Sequence, residues 1–438
     1  MIKINSQLHV PTLPDYRETN DRLRALCAFD NPKYLEAKRQ GRKAWYIEKL
    51  LLCYNETADF ISYPAGMVQH LAGESISDET NSHRVVIPEP SFKLRSYQQE
   101  AVDTALCRRF GALIAGTGSG KSFMAMAVIH ARKQRSIILV HTAELLSQWR
   151  SELAIVFNVD IDTIGKIGAG VWKIGELFTV GMMQTLARNL DKVRDLDLGF
   201  CVVDECHHVA ADNTMLVMNN LNVKFRLGLT ATIGRRDNLQ GMIFAARGQI
   251  SAEVKTADVL EVGGIVPAEI KTVVFNQKYQ PESWGEFVDL LSNDDGRNKF
   301  IADIALAQTE PTLILCDRTA HCEALGALID GCTVLHGKLR KSEREAGFKA
   351  IEAAQVTVGT SGLLSEGIDC KRWSILLLAS PISSSIKLTQ AIGRVLRSHP
   401  DKVSSAVIDI REPLGFSISS HKKRLAIYEE LGHPVSDY

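Results

Sequence analysis

Two short strings in this chain bring together the residue types that phosphate chemistry needs. The first is Ala115-Gly116-Thr117-Gly118-Ser119-Gly120-Lys121-Ser122. Glycines let a backbone curl until its N–H groups point inward at phosphate oxygens. The helix expected to follow, Phe123 to Ala131, adds partial positive charge at its N-terminus. Lys121 can reach β- and γ-phosphates, and the Ser122 hydroxyl can ligate Mg²⁺. Gly116, Thr117, Gly118, Ser119 and Gly120 would form the cradle. Ala115 stands where such loops usually begin with glycine, which leaves Gly118, Gly120 and Lys121 in place. The bland alternative is a glycine-rich turn with a surface lysine. The second string lies about 80 residues on, where Phe200-Cys201-Val202-Val203 runs into Asp204-Glu205-Cys206-His207-His208. Asp204 would hold Mg²⁺, directly or through water, and Glu205 would orient and deprotonate an attacking water. Alone, an acid pair after a strand reads equally well as a solvated turn. Beside a phosphate loop, it reads as a nucleoside triphosphatase. Cys201, Cys206 and the two histidines invite a zinc reading, but usual zinc-ligand spacings are absent.

These side chains need a scaffold, and the chain offers one. Short runs rich in Ile, Val and Leu alternate with helical patterns: Gly111–Ala115, Ser136–Val140, Phe200–Val203 and Arg226–Leu229, then Thr312–Cys316, Thr333–Leu335, Gln355–Val358, Ile375–Ala379 and Ala406–Ile410. Strands alternating with helices predict βαβ units and parallel sheets. Two such series predict two tandem α/β domains, 91–260 and 261–438. Between them, 251–299 holds Gly263-Gly264 and Ser292-Asn293-Asp294-Asp295-Gly296, which read as turns. Residues 1–90 lack the rhythm and form a small N-terminal accessory domain. Its stretch from Pro32 to Cys53 looks helical, basic and aromatic.

Length and composition set outer bounds. At 438 residues the chain is too long for one compact domain. Lys and Arg total 51 and Asp and Glu total 51, which excludes a uniformly basic nucleic-acid coater but not a local basic groove. Hydrophobic residues at 45% and charged residues at 23% exclude wholesale disorder. No apolar stretch reaches the roughly 18 residues of a membrane span, and the start shows no signal-peptide core. A soluble protein of the cytoplasm, or of whatever host cell makes it, is expected. Nine cysteines without a CxxC pair read as reduced thiols.

Asp-Glu-x-His at 204–207, Thr230-Ala231-Thr232 and Gln390-x-x-Gly393-Arg394-x-x-Arg397 resemble the motifs of superfamily 2 helicases and translocases. The resemblance covers residues from about 92 to 411. Leu94-Arg95-x-Tyr97-Gln98 and Gly228-Leu229-Thr230-Ala231-Thr232 are similar to the XPB-like branch, and Asp-Glu-Cys-His-His resembles the UvsW-type phage branch-migration helicases. The resemblance implies two RecA-like domains with ATP between them. It implies that Arg95 and Gln98 hold the base, Gln98 pairing with adenine through its amide. It makes Gly367 and Asp369, in Ser365-Glu366-Gly367-Ile368-Asp369, nucleotide contacts, and Arg394 and Arg397, three apart on one predicted helix, arginine fingers. Thr230, Thr232, His207 and Gln390 would couple the nucleotide to the nucleic acid. Thr142, Gln184, Thr185 and Thr360 would touch its backbone. One departure is His141-Thr142-Ala143-Glu144-Leu145, which lacks the arginine found there in the family. His336-Gly337-Lys338 is a weaker candidate contact.

The expected activity is an ATP-dependent DNA helicase or translocase on branched DNA, with ATP and Mg²⁺, in replication, recombination or repair. It would work as a monomer alongside recombination or replication proteins, without a membrane. Alternatives are an RNA helicase, the motor of a restriction or repair assembly, and a nucleotide-controlled scaffold that turns over little. In the N-terminal segment, Lys33, Lys38, Arg39, Arg42, Lys43 and Lys49 interleave with Tyr34, Trp45 and Tyr46. They read either as a DNA surface, with Lys38 and Arg42 as contacts, or as an amphipathic helix with core aromatics. His421-Lys422-Lys423-Arg424 carries the same two readings.

Overall fold

The computed structural model describes the chain except residues 117, 207–210, 232–239, 263–264, 267, 278, 363–369, 383, 398, 403 and 414. It divides into two compact units, Met1–Ala115 with Gly120–Val254, and Gly116–Ser119 with Lys255–Tyr438.

The first unit is built on an eight-stranded sheet. Its order is Val171–Lys173, Gly165–Gly168, Phe178–Met182, Ser136–Val140, Phe200–Val203, Phe225–Thr230, Phe110–Ala115 and Ile250–Val254. Every pairing is parallel except that of the edge strand Val171–Lys173. The strands at 110–115, 136–140 and 200–203 bury every residue, as apolar runs do when helices cover both sheet faces. Because the strands are parallel, their carboxyl ends at Ala115, Val140, Met182, Val203 and Thr230 share one edge, where α/β sites form. The second unit holds a seven-stranded sheet, parallel throughout: Thr333–Leu335, Val356–Thr360, Thr312–Cys316, Ile375–Leu378, Ser405–Arg411, Ala268–Val274 and Val435–Asp437.

Residues near the N-terminus form a five-stranded sheet in the order Asn55–Glu56, Phe60–Pro64, Gln7–Pro11, Ile2–Ile4 and Ile76–Asp78. Its Ile2, Leu8, Val10 and Tyr63 join one hydrophobic cluster with Phe110, Leu198 and Ala246. Arg226 pins the seam. Its buried guanidinium donates to the carbonyls of Ala246, Ser6, Met218 and Leu221 at 2.9–3.0 Å. Burial pushes its pKa down to about 10.

Two local expectations are corrected. The helix at Pro32 ends at Arg39. Gly41 takes a left-handed φ of +66°, and Leu50–Leu52 is a strand. The left-handed residue breaks the helix before its aromatic half. The polar stretch 292–296 is helical on both sides of Asp294, which alone separates helices Trp284–Asn293 and Asp295–Leu306, its carboxylate capping the second by accepting the Arg297 N–H.

Candidate nucleotide and nucleic-acid site

The phosphate loop leaves strand Phe110–Ala115 and enters helix Lys121–Arg132. Gly118 and Gly120 hold φ of +87° and +83°, a conformation that glycine adopts at little cost. A Cβ on Gly120 would meet the Gln98 amide nitrogen at 2.3 Å, so the adenine candidate packs against the loop. Gln98 is buried on the first turn of helix Ser96–Leu106, and its Oε1 accepts the Arg95 N–H at 2.9 Å. The Ser119 hydroxyl donates to the Gly116 carbonyl at 2.6 Å. Thr117 lies outside the described residues. Lys121 and Ser122 open the helix, Lys121 with its Nζ 3.2 Å from Glu205 Oε1.

The acid pair sits on the same carboxyl edge. Asp204 is buried, and both its oxygens are held: Oδ1 accepts the Glu205 N–H at 2.9 Å and Oδ2 the Trp149 indole N–H at 2.7 Å. Burial pushes the Asp204 carboxyl up, and the Glu205 charge adds to that. The Trp149, Lys121 and backbone donors oppose it. Glu205 has φ +41°, the left-handed region that side chains rarely adopt. Such strain is held by its surroundings, here by the Cys206 N–H bonded to the Leu229 carbonyl at 2.9 Å. A glycine cradle, a lysine and two converging carboxylates are a donor set that suits a triphosphate and a hard divalent cation.

Three candidate nucleic-acid contacts of the first unit follow strands Ser136–Val140 and Phe178–Met182, which run in the same sheet as Phe200–Val203. Thr142 caps helix Ala143–Phe157, its hydroxyl accepting the Leu145 N–H at 3.2 Å. Gln184 and Thr185 lie on the short helix Met183–Ala187, and the Gln184 amide donates to the His141 carbonyl at 3.0 Å. Thr230 ends its strand and is buried. His207 and Thr232 lie outside the described residues.

In the second unit, Thr360 ends strand Val356–Thr360. Gln390 and Arg394, both buried, lie one turn apart on helix Ser385–Val395. The helix stops there, so Arg397 is not on it; Arg397 forms an isolated antiparallel bridge with Ile265. Lys402 explains the stop. Its buried ammonium donates to the carbonyls of Val395, Trp373 and Arg397, closing the helix end. Gly367 and Asp369 lie outside the described residues.

The two basic strings resolve differently. Lys38 and Arg42 are exposed, as are Arg39 and Lys43. Trp45 and Tyr46 are 85% and 69% exposed and meet edge-to-face at 5.8 Å, so they are not core aromatics. In the C-terminal string only Lys422 and Lys423 face solvent, while His421 and Arg424 turn inward onto Asp409. Sequence reasoning passes over Trp149 and Lys402. No spacing flags either; Gln148-Trp149 shows only an aromatic within an apolar helix.

The family model for the Type III restriction enzyme res subunit matches residues 91–235, and that for the helicase conserved C-terminal domain matches 296–399. A mimivirus protein (Acanthamoeba polyphaga mimivirus), provisionally named an ATP-dependent RNA helicase, is 26% identical over 82% of this chain and 72% of its own. The DNA 3'-5' helicase XPB of Mycobacterium tuberculosis is 25% identical over 81% and 68%. The ATP-dependent DNA helicase uvsW of phage T4 is 26% identical over 77% and 73%. Dbp5 of S. cerevisiae, solved with RNA and ADP BeF3, shares the fold at a TM-score of 0.56 and 17% identity, over 79% of this chain and 90% of its own. No helix among the described residues is long and apolar enough to cross a membrane. With a phosphate loop and an acid pair on one sheet edge, and with helicase matches to both α/β regions, the chain belongs to the superfamily 2 helicases.

Proposed function

We propose that the chain is an ATP-dependent DNA helicase or translocase acting on branched DNA such as forks and four-way junctions. The observation that carries this is the convergence of Lys121, Asp204 and Glu205 beside the glycine cradle. Lys121 binds the β- and γ-phosphates, and Ser122 and Asp204 hold Mg²⁺, which when bound neutralises phosphate charge. Glu205 orients the attacking water and takes its proton. Gln98 and Arg95 bind the base. Arg394 and Arg397 neutralise charge that develops on the γ-phosphate, a role that supplies roughly 10³–10⁵ in rate. Thr142, Gln184, Thr185 and Thr360 grip nucleic-acid backbone, which makes binding salt-dependent and largely indifferent to sequence. Thr230, Thr232, His207 and Gln390 link the grip to the nucleotide.

Two relatives carry DNA helicase names, which favours DNA. Another carries an RNA helicase name, which keeps RNA as the second reading. The test is steady-state ATP hydrolysis with Mg²⁺ alone and with matched single-stranded DNA, duplex DNA, four-way junction and RNA. Strongest stimulation by the junction is expected. Glu205→Gln should bind ATP while hydrolysis and unwinding fall by at least roughly 100-fold. Stimulation by RNA alone would overturn the substrate reading. ATP binding without turnover in the native chain would establish a scaffold instead.

A further inference from the structure

Trp149 is 2% exposed and packs inside the first unit. An indole N–H only donates, so burial obliges it to find an acceptor. A backbone carbonyl would have sufficed. Instead it meets Asp204 Oδ2 at 2.7 Å across 55 residues of sequence. Among the described residues, Trp149 is the one side-chain hydrogen-bond donor that acts on the Asp204 carboxyl; Lys121 is engaged with Glu205. The donor is neutral. It fixes the carboxylate's direction without cancelling the charge a cation would meet.

The position of Trp149 along its helix gives this bond a second meaning. Helix Ala143–Phe157 begins at its cap Thr142, and Trp149 lies two turns further on, roughly 10 Å along the axis. The strand feeding that helix is tied to the acid as well, since the Asp204 N–H donates to the Leu139 carbonyl at 2.9 Å. A displacement of the helix start therefore reaches Asp204 through a rigid helix and one hydrogen bond. The Gln184 amide, bonded to the His141 carbonyl, is attached to the same strand end.

We propose that Trp149 is a positioning residue that couples the nucleic-acid grip at Thr142 to the aim of the Asp204 carboxylate, so that DNA stimulates ATP hydrolysis through this hydrogen bond. The inference rests on reading Asp204 as the Mg²⁺ ligand and Thr142 as a backbone contact. Trp149 touches neither nucleotide nor DNA in this scheme. It sets how often Asp204 is aimed for turnover.

The test replaces Trp149 in the full chain with β-(3-benzothienyl)alanine, which keeps the bicyclic shape but carries sulfur in place of N–H. 5-Fluorotryptophan, which keeps the N–H, serves as the rescue. kcat and KM for MgATP are measured with and without saturating four-way junction, together with junction Kd and melting temperature. Loss of a hydrogen bond to a charged group predicts about a tenfold fall in junction-stimulated kcat. The stimulated-to-basal ratio should drop toward one, junction Kd should hold, melting temperature should fall by only a few degrees, and 5-fluorotryptophan should restore both the ratio and the melting temperature. Undiminished stimulation in the sulfur isostere overturns the proposal. So does an equal loss of basal and stimulated rates, which marks a purely structural tryptophan. Asp204→Asn is the control for the underlying reading: Mg²⁺-dependent turnover surviving in that variant removes Asp204 from the chemistry and the coupling role with it.

Discussion

Gly120 and Glu205 show how tightly single positions are set. Gly120 combines a left-handed backbone with the Gln98 amide 2.3 Å from where a Cβ would sit. Gly120→Ala therefore meets two penalties, a left-handed conformation costing about 1–2 kcal/mol and a clash. The clash can relax only by moving Gln98 off its helix cap. The expected outcome is at least a tenfold loss of ATP affinity, read by nucleotide titration. Adding Gln98→Ala should recover part of the lost melting temperature, because space returns while the backbone strain remains. Glu205, at φ +41°, is strained at the residue that would handle the proton, a common place for strain to persist.

Helices and strands carry the next level. Asp409, on strand Ser405–Arg411, is fully buried and binds Arg424, Tyr428 and His421 from helix Gly415–Glu430 at 2.8–3.2 Å. Burial pushes its carboxyl up, but Arg424 and His421 outweigh this and hold it below its ordinary 3.8. A depressed folded-state value means the stabilisation is present above that pH and is lost as pH falls through the folded value. Thermal melts of the native chain should weaken below about pH 4. Asp409→Asn, which strands a buried guanidinium, should cost about 3–5 kcal/mol at neutral pH and flatten that acid slope. The same strand explains what can be read in the sequence. Ser405–Arg411, Thr312–Cys316 and Phe200–Val203 announce themselves as dense Ile, Val and Leu runs. Phe178–Met182 is hidden because Thr179 and Gly181 interrupt its pattern, and Ala268–Val274 because Glu269 and Lys271 alternate with its apolar residues. The phosphate loop and acid pair are legible because their chemistry demands fixed spacing. Trp149 is not, since its partner is remote in sequence and near only in the fold, and Arg397 leaves its predicted helix because Lys402 ends it from beyond the helical pattern.

For the whole molecule, zero net charge means that any grip on DNA depends on where the basic groups lie. Lys38, Arg39, Arg42 and Lys43 are exposed, on the end of helix Pro32–Arg39 and in the segment that leads to the paired Trp45 and Tyr46, away from the acids of the nucleotide site in sequence. Replacing these four by Glu should weaken junction binding at moderate salt. The slope of log Kd against log salt should fall by about one for each DNA phosphate no longer neutralised. DNA-free ATP hydrolysis should be unchanged. Unaltered junction binding would show the cluster to be a solvated face. Arg226 bears on how such a chain can change over generations. Its guanidinium is sealed by carbonyls from three neighbouring segments, one of them Ser6, and the accessory sheet shares an apolar cluster with Phe110 and Leu198. Swapping in an unrelated leading segment would strip the Ser6 carbonyl and that apolar cover, leaving a buried cation short of one acceptor. New substrate preferences in descendants of this chain are therefore channelled toward point changes on the outer surface rather than exchange of a detachable cassette.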